Sequence, residues 1–388
     1  MKNTKKILYV VNNAAFFVSH RLPIALAARA QGYSVDLVTG LAGSHSMEFF
    51  AIEKLKDLDI HHQTISFSAS GLNPFIELVG LISLMKKINE IKPTIVHCIS
   101  PKGIIYGGIA ARFANTNSLI LAISGMGFAF TKGNSSNLLR GLISKIYQFF
   151  FKFILRHQNV QVIVQNRDDE NSIINFGILR PNAVKLIPGS GVDLEKFIHS
   201  KIEMKAQIVL LPARMLWDKG VGEFIDAASD LKKLMPEWRF ILAGAADYQN
   251  PTCVPIKLLE ELNTKQVIEW VGHIDDMTPY FCAASIVCLP SYREGIPKCL
   301  LEGAAAGCAI VTTDVVGCRE AISPGESGLL VPAHDSHALK SALYFLMINR
   351  EVRESFGKVG RELAINKFGL DAVIESTMSI YREILSNE

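Results

Sequence analysis

The chain holds 388 residues, 49% of them hydrophobic and 20% charged, which supplies a buried interior and excludes a disordered protein. At roughly 100 to 200 residues per domain, that length predicts two or three domains. The net charge of +3 hides a split, since residues 1–190 carry 20 Lys and Arg against 10 Asp and Glu while residues 191–388 carry 20 against 27, so the halves suit different partners, the basic one anionic.

Short β-branched runs alternate with amphipathic segments of helix length, the pattern of βαβ units building a parallel sheet covered on both faces. Strands are predicted at Ile7–Val11, Ser34–Thr39, Ile60–Ile65, Thr94–His97, Leu119–Ile123, Gln161–Val164 and Val184–Ile187, with helices between them. Gly32 fits the stop of the first helix, where positive φ is often needed. The pattern pauses over Pro188–Lys205, read as a hinge, and resumes with strands at Gln207–Pro212, Arg239–Ala243, Val267–Trp270, Ser285–Pro290 and Ala309–Thr312. Ser336–Ile348, Arg350–Asn366 and Leu370–Leu385 read as helices. The expected fold class is α/β, with two Rossmann-like domains at 1–188 and 206–370 facing across a cleft, and a C-terminal helix at 371–388 crossing back to the first.

The run Ile7–Val11 stops at Asn12-Asn13, too short for a signal-peptide core, and no stretch of about 18 uncharged apolar residues follows, so the chain is expected to be soluble or to lie on a membrane. Seven cysteines form no C-x-x-C pair and are odd in number, which supports neither a zinc site nor a disulfide framework and fits a reducing cytoplasm. Asp57-Leu58-Asp59 has the D-x-D form of a metal-dependent transferase but ends a predicted helix. No phosphate-loop, dinucleotide or nucleophile-elbow motif occurs, and nothing calls for a metal or other cofactor, or for nucleic acid.

The most informative segment is S-Y-R-E-G-I-P-K-C-L-L-E-G-A-A-A-G, Ser291 to Gly307. It follows a predicted strand, and Pro297 suits the first turn of a helix. Glu294 then lies in the strand-to-helix loop and Glu302 about five residues into the helix, whose N-terminus favours a phosphate. Two carboxylates beside an anion site suit a nucleotide-sugar; two surface glutamates of an ordinary helix would show the same spacing. A-R-M-L-W-D-K-G, Ala213 to Gly220, places Arg214 and Lys219 after a strand, where two cations can flank a diphosphate or be plain solvated charges. In Leu138–His157, Lys145, Lys152 and Arg156 fall on one side of a helix, with Ile146, Phe149, Phe150 and Phe153 elsewhere around it. Such a helix can lie in a membrane interface or pack on the sheet.

With these motifs in place, the second half resembles the family 4 retaining glycosyltransferases of GT-B fold, which place Arg and, five residues later, Lys after one strand and Glu-x7-Glu after another. The segments V-G-H-I-D-D-M-T-P-Y-F-C-A-A-S-I-V-C-L-P-S, T-D-V-V-G-C-R-E-A-I and G-E-S-G-L-L-V-P agree, so the resemblance spans nearly the whole chain. It implies catalytic roles for Arg214, Lys219 and Glu294, with Arg214 and Lys219 holding the diphosphate and Glu294 contacting the transferred sugar. It further implies that Glu302 holds the ribose, that Gly272 and His273 lie near the base, and that Gly295, Ile296, Pro297 and Lys298 line the donor. Gly317 stands where the family has a glycine pair, here Val316-Gly317.

F-F-V-S-H-R-L-P-I-A-L, F-S-A-S-G-L-N-P-F and I-S-G-M-G-F, with L-A-G-A-A-D-Y-Q-N-P-T-C, are similar to bacterial transferases that add N-acetylhexosamine to an undecaprenyl-diphosphate-linked sugar in N-glycosylation and O-antigen assembly. That likeness implies a UDP-sugar donor, with N-acetylgalactosamine in α-1,3 linkage as the reading. It also implies an undecaprenyl-diphosphate-linked acceptor, a place on the cytoplasmic face of the inner membrane, and acceptor contacts from Asn13, Arg21, His97, Lys102 and Gly127. Many relatives carry H-x-H where this chain reads His97-Cys98-Ile99, so His97 fits an active or a structural histidine. Many also place glycines where it has Asn12-Asn13-Ala14-Ala15. A sugar-nucleotide epimerase of the same fold and a non-catalytic nucleotide-sugar-binding protein are the alternatives.

Overall fold

The computed structural model describes residues 5–41, 45–68, 74–125, 138–248 and 250–386. The chain divides into two units, Met1–Ile187 with Val373–Glu388, and Pro188–Ala372. By sequence, the first holds 21 basic and 13 acidic residues (+8) and the second 19 and 24 (−5).

Unit 1 runs β1 (Lys6–Val11), α1 (Ala14–His20), α2 (Leu22–Ala30), β2 (Ser34–Leu41), α3 (His45–Asp57), β3 (His61–Ser68), α4 (Pro74–Ile91), β4 (Ile95–Ile99), α5 (Pro101–Phe113), β5 (Ser118–Ile123), α6 (Leu138–Leu155), β6 (Val160–Val164), α7 (Arg167–Ile174) and β7 (Val184–Leu186). Its seven strands are parallel in the order β3-β2-β1-β4-β5-β6-β7. Odd positions of β1, Ile7, Tyr9 and Val11, pack against α1, α2 and α3, whereas Leu8 and Val10 pack against α4, α5 and α6. Burial on both faces explains why the strand reads as continuously apolar.

The expected first helix is two. Pro23 stands second in α2, and the break falls at Arg21, the C-cap of α1 and N-cap of α2. Gly32, at φ +87°, follows the end of α2. Asp59, at φ +52°, turns the chain after α3, so Asp57 and Asp59 belong to a helix stop.

Unit 2 runs β8 (Ala206–Pro212), α8 (Val221–Leu234), β9 (Arg239–Ala243), α9 (Ile256–Thr264), β10 (Glu269–Gly272), α10 (Thr278–Ala283), β11 (Ala284–Leu289), α11 (Lys298–Ala305), β12 (Ala309–Thr313), β13 (Gly328–Val331), α12 (Ser336–Ile348) and α13 (Arg350–Lys367). Its parallel sheet has the order β10-β9-β8-β11-β12-β13. Two details differ from expectation. Gly328–Val331 is a strand, paired to β12, inside a segment read only as motif. The strand expected at Val267–Trp270 starts at Glu269, because Gln266 at φ +56° closes α9 and the Val267 N–H donates back to the Leu262 carbonyl at 3.0 Å.

Helix α14 (Leu370–Ser386) completes unit 1, burying Val373, Met378, Ile380, Tyr381 and Ile384 in the core over the odd face of β1. Each such side chain contributes roughly 1.5–3 kcal/mol of burial free energy. Strand order reverses between β1 and β4 in unit 1 and between β8 and β11 in unit 2; a ligand of an open α/β sheet binds at the carboxyl ends of such strands.

Candidate active site

In unit 2 both sequence motifs arrive at this reversal. Arg214 and Lys219 follow β8, and Ser291–Pro297 follows its neighbour β11. A short 3-10 turn, Trp217–Lys219, ends at Gly220, φ +73°, where a Cβ would stand 2.1 Å from the carbonyl oxygen of Pro290. Only glycine lets the start of α8 lie this close to the end of β11.

The two loops are joined by hydrogen bonds. The Tyr292 N–H donates to the Asp218 carbonyl at 3.0 Å, and the Ser291 hydroxyl lies 2.7 Å from Glu294 Oε1 and 3.1 Å from the same carbonyl. Lys219 Nζ is ion-paired with Glu294 Oε1, the two side chains 22% and 14% exposed. Arg214, half exposed, pairs with Asp247 Oδ2 at 2.7 Å. Both cations are thus held by carboxylates at the carboxyl edge of the sheet.

Glu302, on α11, has a side chain 24% exposed, with Lys298 Nζ 3.5 Å away. Burial pushes its carboxyl above the ordinary value, and Lys298 offsets part of that. Pro297 caps α11, and Ile296 is turned into the core, so only its backbone is available to a ligand. Burial, with the charge of Glu294, raises the Cys318 thiol to about 12. Burial with both glutamates raises that of Cys299 too. Neither sulfur is a nucleophile at neutral pH. The Gly272 carbonyl accepts from the Gly244 N–H at 2.7 Å, and half-exposed His273 lies 3.2 Å from Asp275. These two sit at the β10 side of the sheet, two strands from β8.

Sequence reasoning missed three partners. Tyr292 donates to Glu223 Oε1 at 2.7 Å, and the His334 ring packs on Tyr292 with centroids 3.7 Å apart. Asp247 is the other. Tyr292 and Asp247 both lie inside segments singled out as motifs, so the signal was present without its geometry.

In unit 1 the loop after β1 is taken up by local structure. The Asn13 side-chain oxygen accepts from the Phe16 N–H at 2.8 Å, capping α1. The Glu48 carboxylate takes the Ala14 and Ala15 N–H groups at 2.8 and 3.1 Å, so an internal acid already occupies this helix N-terminus. Lys102 is paired with Glu77 at 2.8 Å. His97 is 1% exposed, stacked on Tyr9, with Nδ1 2.7 Å from the Tyr381 hydroxyl. Burial, reinforced by Arg21, drives its pKa well below 6.5. Arg21 is 5% exposed, and among the described residues no carboxylate pairs with it. Gly127 lies outside the described residues.

Comparison with known proteins places these sites in context. Residues 193–363 match the family model "Glycosyl transferases group 1", and residues 6–171 match "Glycosyl transferase 4-like". The chain is 29% identical, over 86% of its length and 89% of the relative's, to the N,N'-diacetylbacillosaminyl-diphospho-undecaprenol alpha-1,3-N-acetylgalactosaminyltransferase of Campylobacter jejuni. It is 25% identical to the UDP-Gal:alpha-D-GlcNAc-diphosphoundecaprenol alpha-1,3-galactosyltransferase of Escherichia coli, covering 80% of this chain and 81% of that one. Among solved structures, sucrose-phosphate synthase from Thermosynechococcus elongatus superposes with a TM-score of 0.78 at 19% identity, covering 99% of this chain and all of that one. Anabaena HepE in complex with UDP gives 0.74 at 15% identity, covering 97% and 100%. The expectation of two Rossmann-like parallel-sheet domains is met.

Proposed function

The chain belongs to the group 1 glycosyltransferases of GT-B fold, and from that premise we propose that it moves an N-acetylhexosamine, N-acetylgalactosamine in α-1,3 linkage, from a UDP-sugar to a sugar carried on undecaprenyl diphosphate, with retention. The observation that carries the reading is the Lys219–Glu294 ion pair, which joins the loop after β8 to the loop after β11 at the reversal, with Arg214 on the first loop and Glu302 on the helix that follows the second. The named activities of the Campylobacter and Escherichia relatives support the acceptor class.

In this reading the donor diphosphate takes over the cations that Asp247 and Glu294 now hold. Glu294, released, turns to a hydroxyl of the sugar, and Glu302 accepts from the ribose. The bond from the anomeric carbon to the β-phosphate oxygen breaks as the bond to the acceptor oxygen forms. Arg214 and Lys219 stabilise the charge growing on the departing phosphate, the role a metal ion fills elsewhere, so no cofactor is needed. The departing oxygen takes the proton of the attacking hydroxyl on the same face, and UDP leaves. Arg21, a nearly buried cation with no acid partner among the described residues, is the acceptor-side residue best suited to an anionic group. The reaction takes place at the cytoplasmic face of the membrane, in assembly of a surface polysaccharide or glycan.

A panel of UDP-sugars offered with undecaprenyl-diphosphate-linked monosaccharides, read by mass, tests this. Addition of one N-acetylhexosamine is expected, unchanged by a chelator. Conversion of the UDP-sugar without an acceptor would instead mark an epimerase.

A further inference from the structure

Helix α4 is apolar on both sides. Leu84 and Ile88 are buried against the sheet, yet the outward stripe Phe75, Leu78, Val79 and Ile82 is 80, 55, 56 and 46% exposed. A helix apolar all round is normally enclosed by protein or lipid. On the same face of the sheet α5 packs between α4 and α6. The outward side of α6 mixes Phe149, 68% exposed, with exposed Lys145 and Lys152, and exposed Arg156 follows directly after its last turn. Phe49 and Phe50, near the start of α3, are 61% and 69% exposed. Helices that follow parallel strands begin at the sheet's carboxyl edge, so the starts of α3 and α4 share that edge.

Charge selects the partner. Between Glu90 and Asp168 the sequence has no acidic residue and nine basic ones. Of the acids on α3 and α4, Glu48 is withdrawn into the cap of α1 and Glu77 onto Lys102, while the more exposed Glu53 and Glu90 are each paired with a lysine, Lys56 and Lys87. A second copy docked by a twofold axis would set this basic surface against itself, whereas anionic lipid complements it.

We propose that the outward stripe of α4 enters the interface of an anionic bilayer, with the basic face of α6 beside it on the headgroups. This deepens the functional reading above, on which it rests for the lipid-linked acceptor: the stripe would bring unit 1 to the surface where that acceptor is anchored.

The test is flotation of the full chain with phosphatidylethanolamine–phosphatidylglycerol vesicles, against phosphatidylcholine vesicles. Wild type is expected to float with the anionic vesicles, less at high salt, and Leu78→Asp/Val79→Asp to lose binding at least about tenfold at limiting lipid. Because all three tryptophans lie in unit 2, Leu78→Trp adds a local probe whose emission should shift to the blue with anionic vesicles. Binding of the Asp double variant equal to wild type, or an unshifted emission from the Leu78→Trp protein, overturns the proposal. So does a dimer that the Asp variant dissociates while vesicle binding persists. Transfer to a detergent-dispersed short-prenyl acceptor should be the same for wild type and the Asp double variant. If wild type transfers to no such acceptor yet still binds vesicles, the functional reading fails and the membrane proposal stands.

Discussion

Gly317 faces the backbone of Gly295 so closely that a Cβ on it would lie 1.7 Å from the Gly295 carbonyl oxygen and 2.5 Å from that of Glu294. Its φ of +84° is itself a glycine conformation, and the preceding Val316 carbonyl accepts from the Glu294 N–H at 3.2 Å. Gly317 therefore sets where the Glu294 loop runs. Gly317→Ala should displace that loop, costing about 1–3 kcal/mol of stability and at least tenfold in kcat/KM for the donor. Wild-type kinetics in the variant would show that the loop is not so constrained.

Arg214 and Lys219 occupy separate ion pairs, with Asp247 and Glu294. If both stabilise departing phosphate, Arg214→Ala and Lys219→Ala should each lower turnover at least about tenfold, and on the usual scale up to about a thousandfold. Glu294→Ala should act on turnover and sugar choice more than on UDP affinity. Full turnover in both cation variants would remove them from the mechanism.

Glu302 opposes stability and binding to each other. Its carboxyl is raised above 4.5 in the folded protein, chiefly by burial, so the unfolded chain ionises first as pH rises. The stability associated with its protonated form is lost as pH climbs through 4.5 and stays lost above the folded pKa. Glu302→Gln should melt above wild type at pH 7.5, the gap closing near pH 4. It should also bind UDP about five- to tenfold more weakly, since a neutral acceptor replaces a charged one. Calorimetry reads both, and equal UDP affinity would remove the ribose role.

Tyr381 bridges the Tyr9 hydroxyl at 2.8 Å and His97 Nδ1 at 2.7 Å inside unit 1. Tyr381→Phe should cost about 1–3 kcal/mol, the penalty of a buried polar group left unmatched. His97 is held neutral, chiefly by burial, so unfolded chains take up a proton first as pH falls below 6.5. Stability should decline from pH 7 toward pH 5, with His62 and His157 adding the same sign. His97→Gln should flatten that acid limb in melts recorded against pH.

What could be read beforehand follows sequence distance. Arg214, Lys219 and Glu294 are legible because each closely follows the end of a strand, and Glu302 because it stands eight residues after Glu294 on the helix that follows, so local spacing carries their placement. The two-sided burial of the strands was equally plain, since Ile7–Val11 has no polar alternation. By contrast, the Glu48 cap spans 34 residues and the His97–Tyr381 contact 284, and no local pattern announces either. The four-residue strand Gly328–Val331 was hidden by its brevity: its pairing with β12 admits only a glycine at 328, where a Cβ would meet the Ile310 carbonyl at 2.5 Å. Lys102 reads as an available cation in the sequence, whereas Glu77, 25 residues earlier, is paired with it.

The return of α14 to unit 1 reverses the usual order of events during synthesis. A ribosome delivers all of Pro188–Ala372 before it delivers Val373–Glu388, so the second unit has its whole sequence while the first still lacks a helix. Domains commonly fold in the order they emerge. Here the amino-terminal unit lacks the Tyr381 partner of Tyr9 and His97 until Val373–Glu388 has also left the exit tunnel. A nascent chain stalled on a linker long enough to carry Ala372 clear of the tunnel should therefore have a protease-resistant second unit while its first remains sensitive to protease.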